Sequence, residues 1–243
     1  MIESVVASLR VLNLIAHQPH LGLTEISRQL DLNKSRTFRI LSTLKAMGYV
    51  QQSREDTYHL GVLAWKLGQS AQAQFHDWIK ISEPVLEDLA AQFDENLQIR
   101  VRQGWEMVQV YSRRSQQTLQ VVSTVGNRRP LGSGAAGKIL LAFMNEAEIM
   151  DLPEAYQHLY AELEPIRQSA LACSRGELTL DVGAIAVPLF DAMGQCVASL
   201  SASVPLSRLT ESYQSALSEA LLRAAGRISQ LLGAMESERL KEH

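Results

Sequence analysis

The segment Leu23–Val50, LTEISRQLDLNKSRTFRILSTLKAMGYV, constrains this chain more than any other. It reads as two helices joined by a tight turn over Asp31–Asn33. Thr24 caps the first, with Ile26 and Leu30 inward. Asn33 caps the second, with Thr37, Ile40, Leu41 and Leu44 inward, and Gly48 ends it. Arg36, Arg39 and Thr43 share a different face. From Leu32 to Arg54 there are five cations (Lys34, Arg36, Arg39, Lys45, Arg54) and no Asp or Glu. A compact helix pair with one basic, hydroxyl-rich face suits the DNA major groove.

The flanks extend this reading. Ile2–Ala16 has the periodicity of a helix, with Ser4 as its cap and Val5, Val6, Leu9, Leu12 and Ile15 on one face. Tyr49–Gln52 and Thr57–Leu60 form two short strands around Ser53–Asp56, a hairpin that completes a winged helix-turn-helix. The candidate DNA-binding residues are Thr24, Asn33, Lys34, Ser35, Arg36, Arg39, Thr43 and Arg54. Arg36 and Arg39 would read bases, while Thr24, Lys34 and Ser35 would hold phosphates. Arg54, at the wing tip, either meets the minor groove or a phosphate, or pairs with Glu55 and Asp56.

Charge is distributed to match. Residues 1–75 hold 8 Lys/Arg and 5 Asp/Glu, a net +3; the rest holds 15 and 21, a net −6. Only the front of the chain is expected to meet an anionic polymer. The 243 residues allow two domains, each with its own core. Cys173 and Cys196, two lone thiols with no secretory signal, fit a reducing cytoplasm. The longest charge-free stretch, Ala192–Ser207, is 16 residues and too short to span a bilayer, so no membrane partner is expected.

Beyond the hairpin, Val62–Phe75 reads as a helix joining the domains and about Ile79–Phe93 as a second. The period then changes to two: Leu97, Ile99 and Val101 alternate with Gln98, Arg100 and Arg102. Met107–Ser112 and Thr118–Thr124 follow as strands, Gly134–Met144 as a helix, and Leu152–Leu171 as irregular helix. Gly183–Phe190 and Gln195–Val204 are strands around a turn. A closing helix runs from about Thr210 to Glu238, with Tyr213, Leu217, Leu221, Ala224, Ile228, Leu231 and Met235 inward. The back of the chain is therefore α+β, an antiparallel sheet flanked by helices.

Two segments there bear on chemistry. Gly132–Lys138 (GSGAAGK) fits G-x-G-x-x-G and most of a phosphate loop, but Ile139 replaces the hydroxyl that would hold Mg²⁺, and Pro130 is expected to break the strand that both motifs need. The same glycines still put backbone N–H groups at a helix start, favourable to an anion such as a carboxylate. In Gln195–Val204, Cys196, Ala198, Leu200, Ala202 and Val204 occupy one face and Gln195, Val197, Ser199, Ser201 and Ser203 the other. The serines form either a solvent-facing surface or the polar wall of a ligand pocket, since buried hydroxyls need partners. The six His lack the spacing of a metal site, and Gly-x-Ser-x-Gly is absent, so neither enzyme activity, metal nor cofactor is expected. Trp65, Trp78 and Trp105 are expected to pack at helix and hairpin contacts.

The chain resembles the IclR-type transcriptional regulators. The resemblance rests on the helix pair followed by TYHLG, then on GNRRPLGSGAAGKILLAF, and then on SRGELTLDVGAIAVPLFDAMGQCVASLSASVPLSRL. It implies a winged helix-turn-helix domain over 1–61, a linker helix over 62–76 and a GAF-like effector-binding and oligomerisation domain over 77–243. It further implies homodimers or homotetramers on palindromic operator DNA, control of catabolic genes, and response to a small organic, sugar or aromatic acid. The ligand-contacting positions map onto the backbone of Gly134, Ala135 and Ala136, and onto Ser174, Ala184, Ser201 and Ser203. Two departures stand out. Lys34-Ser35-Arg36-Thr37 replaces the usual Lys-Ser-Thr-Val, and Ser174 and Ala184 stand where some relatives carry an acid or a thiol. The expectation is a cytoplasmic repressor answering to a small organic or sugar acid; the alternative is an activator of the same fold answering to an aromatic acid.

Overall fold

The computed structural model describes residues 2–233, and the side chains of all of these except 71–77 and 146. The chain divides into two compact units, Met1–His76 and Asp77–His243.

In the first unit, α1 (Glu3–His17), α2 (Leu23–Leu30) and α3 (Lys34–Ala46) pack around Ala7, Val11, Ile15, Ile26, Ile40, Leu41, Leu44, Val50 and Tyr58. Strands β1 (Leu21–Gly22), β2 (Val50–Gln52) and β3 (Thr57–Leu60) form an antiparallel sheet in the order β1-β3-β2. Asn33 caps α3 as its sequence predicts, its side-chain oxygen accepting from the Arg36 N–H at 2.7 Å. Gly48 follows α3 at φ +77°, the left-handed conformation that favours glycine.

Three expectations here need correction. The short β1 leads straight into α2, so Gly22 is the N-cap and Thr24 is the second helical residue, not the cap. Ile2 likewise precedes α1, and Ser4 lies inside it. The buried stripe of α1 is Ala7, Val11 and Ile15, whereas Val5 and Leu9 are 51% and 54% exposed. This helix carries two apolar stripes, and the unit buries only one of them.

Helix α4 runs unbroken from Val62 to Phe93, where two helices were expected. Near its start Trp65 is 64% exposed, so it is not the packing residue anticipated.

In the second unit, β4 (Asn96–Gln103), β5 (Glu106–Arg113), β6 (Arg128–Pro130), β7 (Ala172–Arg175), β8 (Val182–Phe190) and β9 (Cys196–Pro205) form one antiparallel sheet in the order β6-β5-β4-β9-β8-β7. The helices are α5 (Gly134–Ala142), α6 (Glu146–Met150), α7 (Tyr160–Ser169) and α8 (Glu211–Leu231), with a 3-10 turn at Glu154–Leu159. One sheet face buries Leu97, Ile99, Ile185, Val187 and Leu200 against the end of α4 and against Leu217, Leu221 and Ile228 of α8. On the opposite face Met107, Ala172 and Ala186 pack with Ile139 and Leu140 of α5 and with Leu163 and Ile166 of α7. The result is three layers, with each face of the sheet covered by helices.

Thr118–Thr124 is loop; the strand beside β5 is β6, and Pro130 is its last residue. Proline is tolerated there because β6 is the sheet edge, where a missing N–H breaks no ladder. Cys196 packs with the α5 side rather than with Ala198, where a register shift between Leu189 and Phe190 interrupts the alternation. Thr210 caps α8, accepting from the Tyr213 N–H at 3.3 Å. Leu231 at its end is exposed, and Met235 and Glu238 lie outside the described residues. Among the described residues no helix is long and apolar enough to cross a membrane.

Candidate ligand cavity and nucleic-acid interface

The first unit presents α3 to its surface. A groove between α1 and α3 is lined by Ser4, Ser8, Asn33, Ser35, Arg36, Arg39, Ile40 and Thr43, which brings five of the eight candidate DNA-binding residues together. Burial of Thr37, Ile40, Leu41 and Leu44 fixes the roll of the helix and turns Ser35 and Arg39 outward. Arg36 is half-buried, and its guanidinium donates to the Glu3 carbonyl at 3.5 Å. Thr43 donates to the Arg39 carbonyl at 2.9 Å. Lys34 is exposed in the first turn of α3, and Thr24 in the first turn of α2. Arg54 is exposed at the hairpin tip, and among the described residues it forms no ion pair with Glu55 or Asp56. Sequence reasoning missed Phe38 (55% exposed) and Ser42, which lie on the outward arc of α3 at i, i+4 spacing.

The second unit holds a cavity of about 90 Å³ between the sheet and the start of α5. Gly134, Ala135, Ala136, Ser174, Ala184, Ser201 and Ser203 all line it, so all seven residues expected around a ligand converge on one space. Gly134 opens α5 at φ +68°, and the Ala135 N–H donates to Ser174 Oγ at 3.2 Å. That helix-start N–H is therefore already occupied, unlike the free donor expected from sequence. The serines of β9 are not a solvent-facing surface: Ser199, Ser201 and Ser203 are 0%, 2% and 7% exposed. Ser203 accepts from Gln98 Nε2 at 3.1 Å.

The polar half of the cavity was not anticipated. Gln98 and Arg100 project from β4 to the face opposite Leu97 and Ile99, and both are buried. Arg100 Nη2 donates to Gln98 Oε1 at 2.7 Å and Gln109 Oε1 at 3.0 Å, while its Nη1 is buried without a partner. Burial, and then the nearby charge of Arg129, pull the Arg100 pKa down to about 10, which leaves it a cation at neutral pH. Arg129 also lines the cavity, and no Asp or Glu does. Val121–Ser123 on one side and Leu178–Thr179 on the other complete the wall. The available signal was an arginine and a glutamine at alternate positions on a strand whose other face is core.

The glycine-rich motif has a packing explanation. A Cβ on Gly137 would fall 1.9 Å from the Leu131 carbonyl oxygen, so α5 approaches that backbone only without a side chain. A short strand does precede the motif, contrary to expectation, but Lys138 does not face a phosphate site. Its ammonium lies 2.9 Å from both Glu162 and Glu177. Burial pulls its pKa down, and the hydrogen bonds and charges of the two glutamates outweigh this and raise it. The thiols are muted too. Burial pushes Cys196 up to about 12 and raises Cys173. Among the described residues no cluster of three His, Cys, Asp or Glu is placed to hold a metal.

Two family models match the chain. Residues 70–230 match the bacterial transcriptional regulator IclR C-terminal family, and residues 4–54 match the IclR helix-turn-helix domain. The chain belongs to the IclR family of bacterial transcriptional regulators. It is 30% identical to the transcriptional regulator KipR of Bacillus subtilis over 95% of this chain and 97% of that protein. It is 29% identical to the transcriptional repressor AllR of Escherichia coli over 87% of this chain and 83% of that protein. An IclR homologue from Microbacterium hydrocarbonoxydans, solved in complex with 4-hydroxybenzoate, has the same fold at 21% identity (TM-score 0.75), covering 95% of this chain and 99% of that one.

Proposed function

We propose that this protein is a cytoplasmic, homo-oligomeric repressor of a catabolic operon that releases or tightens on its operator when a small carboxylate fills the cavity of the second unit. The observation that carries this reading is the convergence of the α5 start, Ser174, Ser201 and Ser203 with an unpaired buried guanidinium in one cavity. Helix-start dipoles, hydroxyls and a cation together favour an anion with further hydrogen-bonding groups. In the first unit, Arg36 and Arg39 read bases, while Lys34, Ser35, Thr43, Asn33 and Thr24 position the DNA backbone and Arg54 meets the flanking groove.

The sign of regulation is supported by the naming of AllR as a repressor. The size of the ligand follows from the cavity. Its volume of about 90 Å³ is below the ~150 Å³ of an apolar cavity that takes benzene, and no aromatic side chain lines it. This favours an aliphatic acid over the aromatic one carried by the Microbacterium homologue. Homo-oligomerisation is supported by the uncovered apolar stripe of α1 and by exposed Trp65. The mechanism is linkage: the acid changes operator affinity only by as much as it prefers one arrangement of the dimer to the other.

The test is binding to the intergenic DNA beside this gene, against scrambled DNA, across salt and with a panel of small carboxylates. Specific binding shifted by one acid is the expected result. Specific binding indifferent to the whole panel removes the carboxylate, and equal affinity for scrambled DNA removes the operator.

A further inference from the structure

We infer that Phe38 is a specificity-determining residue of the first unit, and that what it reads is the C5 methyl group of a thymine in the DNA major groove. The inference rests on the reading of α3 as the base-contacting helix. It adds a contact that the cations and hydroxyls of that helix do not make.

The roll of α3 is the starting point. Thr37, Ile40, Leu41 and Leu44 are buried, so the opposite side of the helix faces water. Ser35, Arg39 and Ser42 are exposed on that side. Phe38 follows Ser35 by three residues and precedes Ser42 by four, which makes it a neighbour of both on the helix surface. The groove toward α1 opens on one flank of this arc, along Arg36 and Thr43, and Phe38 stands on the other. It lies in the N-terminal half of α3, the part of a recognition helix that reaches base edges.

Packing does not account for the ring. Phe38 is the only aromatic residue of α3, is 55% exposed, and takes no part in the core of the unit. Its setting does not suit an apolar protein partner either. Lys34 and Arg39 flank it, and from Leu32 to Arg54 there is no Asp or Glu. The partner that complements this arc is polyanionic. In the major groove of such a partner the base edges present hydrogen-bonding groups and one distinctive apolar group, the thymine methyl. A phenyl ring neither donates nor accepts. It gains from thymine by taking the methyl and its own surface out of water. Cytosine in the same place presents an amino group, which the ring would strip of water without replacing the hydrogen bond.

The experiment begins by enriching binding sequences for the full-length protein from random duplex DNA. Each thymine of the enriched site is then replaced in turn by deoxyuridine, which removes the methyl and nothing else. At one thymine or more, wild-type affinity is expected to fall about four-fold, the worth of one buried methyl. Cytosine there costs more. In Phe38→Ala the deoxyuridine penalty at that position disappears and enrichment no longer fixes the base. Its affinity for random DNA and its salt slope stay at the wild-type values, because no charge is removed. Phe38→Leu keeps part of the penalty. If no deoxyuridine replacement weakens wild-type binding, the inference is overturned whether or not any variant folds. A penalty that survives in Phe38→Ala overturns it too, as does a Phe38→Ala protein that sediments as a smaller species without DNA, which would make the ring a protein contact. In these cases the base-reading role of α3 stands and only the methyl contact falls. If no sequence is enriched at all, the base-reading role falls and this inference with it.

Discussion

Gly137 lies so close to Leu131 that a Cβ on the glycine would meet the leucine carbonyl oxygen at 1.9 Å. Backbone is on the receiving side of that contact, so it cannot be relieved by a rotamer change. Gly137→Ala is expected to cost about 2–3 kcal/mol. Gly68 in α4 has nothing within 4 Å of its would-be Cβ, and Gly68→Ala is expected to stabilise by about 0.5–1 kcal/mol. Denaturant melts of both variants check the pair, and a neutral Gly137→Ala would remove the packing explanation of the motif.

Lys138 ties Glu162 of α7 to Glu177 of the loop after β7. Both glutamates are partly exposed and stay solvated without the lysine, so Lys138→Met is expected to cost only about 1–2 kcal/mol. ATP is expected to leave the melting temperature unchanged in wild type and variant alike. A shift with ATP that Lys138→Met abolishes would reinstate the phosphate-loop reading.

Arg39 and Lys34 are both exposed on α3, and their roles are expected to differ. Arg39→Ala should cost about 1–3 kcal/mol and relax base preference, while Lys34→Ala should weaken all sequences alike and lower the salt slope by about 1. Fluorescence anisotropy on operator and random DNA separates the two. Equal losses on both DNAs for Arg39→Ala would return it to a phosphate contact.

Leu9 and Trp65 are 54% and 64% exposed in the single chain. If they are covered by a second copy, Leu9→Asp and Trp65→Ala shift the sedimentation profile toward monomer at micromolar protein. Ile15, which is 1% exposed, behaves differently: Ile15→Ala costs about 2–5 kcal/mol of unit stability. An unchanged profile in both surface variants would place the oligomer contact elsewhere.

Cys196 has its pKa pushed from 9.0 to about 12, chiefly by burial. The folded state therefore holds the neutral thiol more firmly than the unfolded chain does. Its contribution to stability is intact below about pH 9 and erodes as pH climbs toward 12. Cys196→Ala should flatten that part of the alkaline stability curve, and iodoacetamide at pH 8 should leave native Cys196 unlabelled. Rapid labelling would contradict the burial.

Much of this was legible in sequence because periodicity and caps report local structure. Asn33, Gly48, the α3 core positions and the four long β-strands of the second unit (β4, β5, β8 and β9) follow from it. The Thr24 and Ser4 caps failed for one reason: a hydroxyl near a helix start looks the same one or two residues inside it. Two-sided burial hid Gln98 and Arg100, since alternation reports two faces and not what covers the second. The α1 stripe failed because a helix apolar on two sides offers periodicity no way to choose. The seven cavity residues were found through resemblance and anion chemistry, whereas their cationic counterpart needed the fold.

The cavity draws on two kinds of material. Its floor is the central sheet and the α5 start, which also carry the hydrophobic core and tolerate little change. Its rim is Val121–Ser123 and Leu178–Thr179, loop residues at opposite edges of the sheet that bear none of that packing. On the carboxylate reading proposed above, mutational drift can therefore re-tailor the rim, and with it which acid of a chemical class would be admitted, while the floor beneath is held by the core. A regulator built this way can be reassigned to a new metabolite by a handful of loop substitutions, without renegotiating the stability of the domain that reports it.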